Sequence, residues 1–256
     1  MNLFNYPEVK TVIVCCNIHG NFKGIIHKLC IQYGCTDTLL IVAGDCGFGF
    51  ERPGYYETVF NQVAGRLKKA NNFIVFVRGN HDDPAYFAEE RVAHQRWQCV
   101  PDYSVIQACG HSIICIGGAT SVDRQIRKEE NVRMRERGHM LTATWWPDEE
   151  PIFRPEEIDS IFEDIRIDTV VTHSAPSFCE TAGWNKTGLK SWAAYDPALL
   201  QDVYKERATM DEIYEQISVW HCVKRWFYSH FHRFWCGERE HILFTLLDLE
   251  EFKEIL

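Results

Sequence analysis

TVIVCCNIHG, residues 11–20, is an apolar, β-branched run that stops abruptly at a polar loop, Asn17-Ile18-His19-Gly20-Asn21. Such a run predicts a buried strand that delivers its loop at one end. Residues 22–33 then place Ile25, Ile26, Leu29, Cys30 and Tyr33 at helical spacing, so a helix follows the loop. The unit recurs twice. TLLIVAGDCG (38–47) ends in Gly44-Asp45 ahead of a helix expected over 57–70, and NFIVFVRGNHDD (72–83) ends in Arg78-Gly79-Asn80-His81. Buried strands that each stop on polar side chains predict an α/β sheet, whose ligand edge lies where the strands stop.

Further along, shorter strand candidates at 105–110 and 112–120 predict a second sheet. A helix is expected over 156–165, a strand over 168–176, a helix over 197–219, and strands over 223–232 and 241–249. Two stretches read as surface excursions, one near 121–151 with Trp145-Trp146-Pro147 and one near 182–215 that opens with Gly, Asn, Lys and aromatics. No repeat or linker divides the 256 residues, so a single domain over 1–256 is expected.

With 46% hydrophobic residues the chain can bury a sizeable core. A net charge of -9 and a pI near 5.7 exclude a global basic field that would favour nucleic acid or an acidic membrane. Eleven cysteines without paired CxxC knuckles, and a start lacking the basic and apolar segments of a signal peptide, make a reducing cytoplasm the expected location. No stretch approaches the roughly 18 apolar residues of a membrane span.

The polar residues at the strand ends are Asn17, His19, Asp45, Asn80, His81, His173, His230 and His232. Imidazole nitrogen with carboxylate and amide oxygen is a borderline-hard donor set, suited to Mn, Fe or Zn and not to the all-oxygen shells of Ca. A carboxylate such as Asp45 can bridge two cations, and a cation pair can clamp the attacking and leaving oxygens of a phosphoryl displacement. A lone histidine is more often an ordinary hydrogen-bonded side chain, and Gly-Asn-His alone is often a turn. Together, at successive strand ends, they point to a metal centre. The remaining histidines, His27, His94, His111, His139, His221 and His241, are assigned structural or surface places.

Asn17-x-His19, Gly44-Asp45, Gly79-Asn80-His81-Asp82, His173 and His230-x-His232 stand in the order and spacing that resemble the calcineurin-like metallophosphoesterase family, over residues 12 to 232. The resemblance implies a four-layer αββα sandwich with two mixed sheets. It also implies two divalent metal ions: one within Asn17, His19, Asp45 and His232, the other within Asp45, Asn80, His173 and His230. His81 would lie outside the metals and protonate the leaving oxygen or hold the phosphoryl group, and Asp82 would orient His81 by a hydrogen bond. The implied activity is hydrolysis of phosphomonoesters or phosphodiesters, with metal-bound hydroxide as nucleophile. The arginines and tryptophans that the two excursions combine suit a small nucleotide or a phosphoprotein loop better than long duplex DNA, and no membrane partner is expected.

Two positions depart from the family pattern. Asn17 stands where the family has aspartate, which exchanges a charged donor for a neutral amide and predicts a weaker first metal site and slow turnover. A deliberate exchange and a natural drift toward inactivity leave the same letter in the chain. Ser229 stands where glycine usually precedes His-x-His, and is expected to tighten a turn and no more. The rival readings are a phosphoesterase fold kept as a catalytically inactive binding scaffold, for which Asn17 speaks, and a nuclease using the same centre.

Arg78, Arg124 and Arg127 are candidate substrate-binding residues, because a guanidinium forks onto phosphate oxygens; surface ion pairs, with Asp123 among the partners, are the plainer alternative. Trp145, Trp146, Trp184 and Trp192 either wall the cleft or anchor their loops. The cysteines beside the first strand and after Asp45 are expected to be packing residues.

Overall fold

The computed structural model describes residues 2–138, 142–181 and 186–256, with the side chains of residues 186 and 187 excepted. His139 and Trp184 lie outside the described residues. One sheet has six strands in the order β13 (Lys253–Glu254), β2 (Thr11–Cys15), β3 (Thr38–Ala43), β4 (Phe73–Val77), β6 (Trp97–Cys99), β5 (Ala93–His94). The other has seven, in the order β1 (Leu3–Asn5), β7 (Ser104–Ala108), β8 (His111–Ile116), β9 (Thr169–Thr172), β10 (Arg225–Tyr228), β12 (Ile242–Leu246), β11 (Trp235–Arg239). Both are mixed: β2, β3 and β4 pair in parallel, as do β8, β9 and β10, while β13, β5 and β11 pair antiparallel at or near the edges.

Side-chain alternation along the strands sorts the interior into three cores. Val12, Val14, Leu39, Ile41, Val75 and Val77 of the first sheet meet Ile113, Cys115, Val171 and Phe227 of the second in a core between the sheets. The alternate residues Ile13, Cys15, Leu40, Val42, Ile74 and Phe76 face outward onto α1 (Phe22–His27) and α2 (Tyr55–Ala70). On the far side, Ile114, Val170, Trp226 and Tyr228 meet α5 (Pro155–Asp164) and α7 (Leu199–Trp220). Helix, sheet, sheet and helix are therefore the four layers that were expected. The central strands are buried on both faces, which explains their continuous apolar runs.

The helices α3 (Ala85–Ala88), α4 (Arg124–Glu136) and α6 (Lys186–Ala193) belong to the connections, and α1 continues into a π-helical turn, Lys28–Gln32. Two expectations are corrected here. The excursion near 121–151 contains the thirteen-residue helix α4. Residues 199–215 are not an excursion at all, because α7 buries Leu199, Val203, Met210, Ile213 and Tyr214 and so forms part of an outer layer. Strands β1, β5, β6 and β13, of two or three residues each, and β11, whose residues are partly or fully exposed, were not foreseen, since they leave little apolar pattern to read.

This topology positions the site. The C-terminal ends of β2, β3 and β4 open into residues 17–21, 44–49 and 78–83, and those of β9 and β10 into residues 173–176 and 229–232. The loop backbones bond one another: Asn17 N–H donates to Gly44 O (3.0 Å), His19 N–H to Asp45 O (2.9 Å), and Ser229 N–H to His173 O (3.1 Å). No described helix is long and apolar enough to cross a membrane.

Candidate metal centre

Asn17, His19, Asp45, His230 and His232 all have positive φ, between 43° and 72°. Side chains other than glycine rarely adopt that conformation, and its concentration at loop positions marks a site where the fold holds the backbone against local preference. Glycine is required at two neighbours. A Cβ on Gly44, which has φ of 84°, would overlap the His173 ring, and one on Gly79 would overlap the amide and carboxylate of Asp45.

The Asp45 carboxylate stands at the middle of two groups of converging donors. His19, Asp45 and His81 offer ligand atoms that all lie within 4.8 Å of one another, and so do Asp45, His173 and His230. His173 Nε2 is 3.1 Å from Asp45 Oδ1, and His19 Nε2 is 3.9 Å from Oδ2. The His232 ring meets His19 at 5.4 Å between centroids, and His230 meets His173 at 5.1 Å. Burial alone would raise the Asp45 carboxyl, but the surrounding His173, His81 and His19 hold it well below the usual carboxylate range.

His173 is fully buried, and its Nδ1–H is shared between Ala43 O (3.0 Å) and Ser229 Oγ (2.7 Å), while the Ser229 hydroxyl itself donates to Ala43 O (2.5 Å). These partners assign the proton to Nδ1 and turn Nε2 toward Asp45 and toward Asn80 Oδ1, 2.9 Å away. Ser229 therefore orients a candidate ligand, a correction to the expectation that it only tightens a turn. Asn80 is oriented just as closely. Its Nδ2–H donates to Ser121 Oγ (2.8 Å), whose hydroxyl donates to Glu149 Oε2 (2.6 Å), leaving the amide oxygen on the His173 side. Glu149 is buried and its carboxyl is pushed up to about 7 by that burial.

With Nδ1 carrying the ring proton, the lone pair of Nε2 faces the oxygen lone pairs of Asp45 Oδ1 and Asn80 Oδ1. The arrangement calls for positive charge among them, either a second proton on the ring or a cation. Burial would lower the His173 pKa, yet the adjacent Asp45 raises it above the ordinary imidazole value, which expresses the same demand. His230 moves the other way, held well below the imidazole range by burial and by His173. Asn17 supplies an independent sign. Its Nδ2–H donates to Cys16 Sγ (3.2 Å), and its buried Oδ1 has no hydrogen-bond partner among the described residues. Buried amide oxygens are ordinarily satisfied, so this atom has the free lone pairs a cation ligand needs. The donor set present thus suits a pair of divalent cations.

The remaining site expectations fare differently. Asp82 does not orient His81: its two oxygens accept the amide N–H groups of Cys46, Gly47, Phe48 and Gly79 at 2.7–3.0 Å, stapling the Asp45 loop to the Asn80 loop. Burial and the nearby Asp45 push the Asp82 carboxyl up to about 7, against four amides that favour its ionised form. Arg78 is buried away from the centre, pairing with Asp102 (2.8 Å) and donating to the carbonyls of Asp148, Glu149 and Glu150. Arg124 is engaged by Asp196 (2.6 Å), Asp202 (2.5 Å) and Glu150 (3.9 Å). Neither is free for substrate.

Arg127 does reach the centre. Held by Asp123 (2.8 Å) and Thr144 O (3.2 Å), its Nη2 lies 3.1 and 2.5 Å from the two ring nitrogens of His81. Burial, together with this guanidinium, lowers His81 to about 4 although Asp45 opposes the shift. Trp192 lines a cleft with Asp45, Asn80, Asp123 and His230, whereas Trp146 packs on Phe50 and Trp145 lies under Lys128. Ser121, Glu149 and Ser229 are the participants that sequence reasoning missed or undervalued; only the unusual residue at position 229 was a visible signal.

The family model for calcineurin-like phosphoesterases matches residues 10–234. Among solved structures, the protein TT1561 of Thermus thermophilus superposes with a TM-score of 0.51 at 12% identity, covering 96% of this chain and 98% of that one. A phosphopantetheinyl hydrolase from Mycobacterium tuberculosis gives 0.46 at 13% identity over 97% and 96% of the two chains. A dimetal phosphatase from Danio rerio gives 0.49 at 8% identity over 95% and 88%. At such identities the likeness concerns the fold. No curated protein matches the chain.

Proposed function

The chain belongs to the calcineurin-like phosphoesterase family, whose members hydrolyse phosphate esters with divalent metals, and from that premise we propose that the cluster around Asp45 is a two-cation centre for cleaving a phosphate monoester or diester. Asn17, His19, Asp45 and His232 would hold one cation; Asp45, Asn80, His173 and His230 would hold the other. The observation that carries this reading is a single buried carboxylate that converges with His19 and His81 on one side and with His173 and His230 on the other; His81, whose ring nitrogens face Arg127, is left to the substrate. Bound there, the pair supplies Lewis acidity for displacement at phosphorus.

The chain's own groups bind and orient. Arg127 has N–H donors for the equatorial phosphoryl oxygens, and it already stands against His81. A phosphoryl group that draws the guanidinium to itself frees the neutral His81 ring to turn its one N–H to the leaving oxygen and pass that proton to it, the other ring nitrogen taking a proton from solvent. Asp82 contributes by keeping the two loops in register, and Ser229, Ser121 and Glu149 by fixing which atoms of His173 and Asn80 face the cations. Ligands come from both sheets, so residues 1–256 act as one catalytic domain. A reducing cytoplasm suits the eleven free thiols.

Asn17 favours a second reading, a metal-binding scaffold with little turnover, because a neutral amide beside a dication lowers the affinity of that position. Elemental analysis of the protein beside Asn17→Asp, with both assayed on an aryl phosphate monoester and diester in added Mn, separates the two. Raised cation content and hydrolysis in Asn17→Asp support the enzyme. Cations without hydrolysis in either version support the scaffold, and no cation in either defeats the metal centre itself.

A further inference from the structure

Next to the candidate ligands, the loop of residues 47–51 and the start of α2 enclose a cavity of about 280 Å³ walled by His19, His81, Phe22, Phe50 and Tyr55. Two of those residues belong to the centre, so whatever fills the cavity adjoins the phosphoryl group held there. The walls are aromatic. Phe22 is the cavity-side member of a packed set that includes Phe48, Tyr56 and Trp97, with ring centroids 5.1–5.8 Å from its own. Phe50 is braced edge-on by Trp146 at 5.2 Å and lies 6.4 Å from the His81 ring.

The cavity is also preformed. The Tyr56 hydroxyl accepts the Gly49 N–H (2.7 Å) and donates to Gly47 O (2.8 Å), tying down the loop that carries Phe50. A ligand entering a pocket held open in this way does not have to order it. Its chemistry excludes much: among the lining residues there is no lysine or arginine, and Glu51 at the wall disfavours a second anionic group. Its volume lies near the lower end of ligand pockets, roughly 300–1,000 Å³, which leaves room for one ring system.

We infer that the substrate is a phosphate ester whose alcohol side carries a planar, uncharged aromatic ring, packed against Phe50 and Tyr55. This rests on the reading of the centre as a phosphoesterase. The test compares 2-phenylethyl phosphate with ethyl phosphate, whose alcohols have similar acidity, so that the ring and not the leaving-group chemistry is varied. With the Mn-loaded full chain, the phenylethyl ester should have a kcat/KM about 10-fold higher or more, the discrimination that apolar contact with aromatic walls supplies. The ratio should fall toward unity in Phe50→Ala and drop in Tyr55→Ala. Equal kcat/KM for the two esters, a ratio that survives Phe50→Ala, or a ratio lost in Trp192→Ala, which lines the other cleft, overturns the inference. If neither ester is hydrolysed, the phosphoesterase reading has failed separately. Calorimetric titration of the same two esters into the Mn-loaded protein still judges the pocket: tighter binding of the phenylethyl ester, abolished by Phe50→Ala, upholds it, and equal binding refutes it.

Discussion

Asp45, Asn80, His173 and His230 are all buried, whereas on the other side of the same carboxylate His19 and His232 are open to solvent and only Asn17 is buried. The buried half is also the better braced. His173 and Asn80 each have partners behind them, in Ala43 with Ser229 and in Ser121 with Glu149. In the open half, His19 is met by the ring edges of His81 and His232, and the one buried donor besides the shared Asp45 is an uncharged amide. Desolvation and bracing strengthen a cation site, and loss of a negative charge weakens it. The cation beside Asn17 should therefore be the first to leave under a chelator and the last to load.

That contrast can be broken most severely at the residue both halves share. Asp45→Asn should remove both cations and lower hydrolysis on the order of 10³-fold, the scale of the several kcal/mol that such a clamp supplies; retention of either cation by elemental analysis would separate the halves. Next, Ser121→Ala should weaken the buried half alone, by about 10- to 100-fold in cation affinity. A competition titration against a chelator reads this directly, and equal weakening of both cations would deny the bracing argument. Asn17→Asp should sharpen the picture from the other side, raising affinity of the open half by about 10-fold and narrowing the gap between the two chelator steps.

The smallest effects on the cations are expected at the arginines, where stability and substrate binding part company. Arg78→Ala leaves Asp102 and the carbonyls of residues 148–150 without their buried partner, and should cost about 3–5 kcal/mol in urea unfolding. Arg127→Lys should unfold almost as the parent does and raise KM, because an ammonium cannot reproduce the forked donors. If Arg127→Lys changes stability and not KM, Arg127 belongs with Arg78 among the structural cations.

The central strands and the candidate ligands were legible early for a common reason, whereas the four layers were expected only from the family resemblance. A strand buried on both faces must be apolar along its whole length, so a polar residue can appear only where the strand stops, and the strand ends at Asn17, Asp45, Asn80 and His173 announce themselves by contrast. The supporting residues carried no such mark. Ser121 lies 41 residues from Asn80 and 28 from Glu149, and nothing in their neighbourhoods distinguishes them from other polar residues on a charged connection. Arg78 misled for the opposite reason: it adjoins the Asn80 loop in the chain, yet its side chain turns inward to Asp102. Asp82 likewise follows His81 directly, but serves four amides of two loops instead.

Residue types along the chain were enough to establish the central strands, their polar terminations and the donor chemistry, since each depends on local apolar pattern or on the atoms a side chain carries. Which nitrogen of His173 faces Asp45, which arginine meets His81, and which half of the centre is dry depended on contacts across 36 to 130 residues of chain. Hydrogen-bond direction and desolvation are properties of a three-dimensional neighbourhood, and only the packing of two sheets against each other brings that neighbourhood into being.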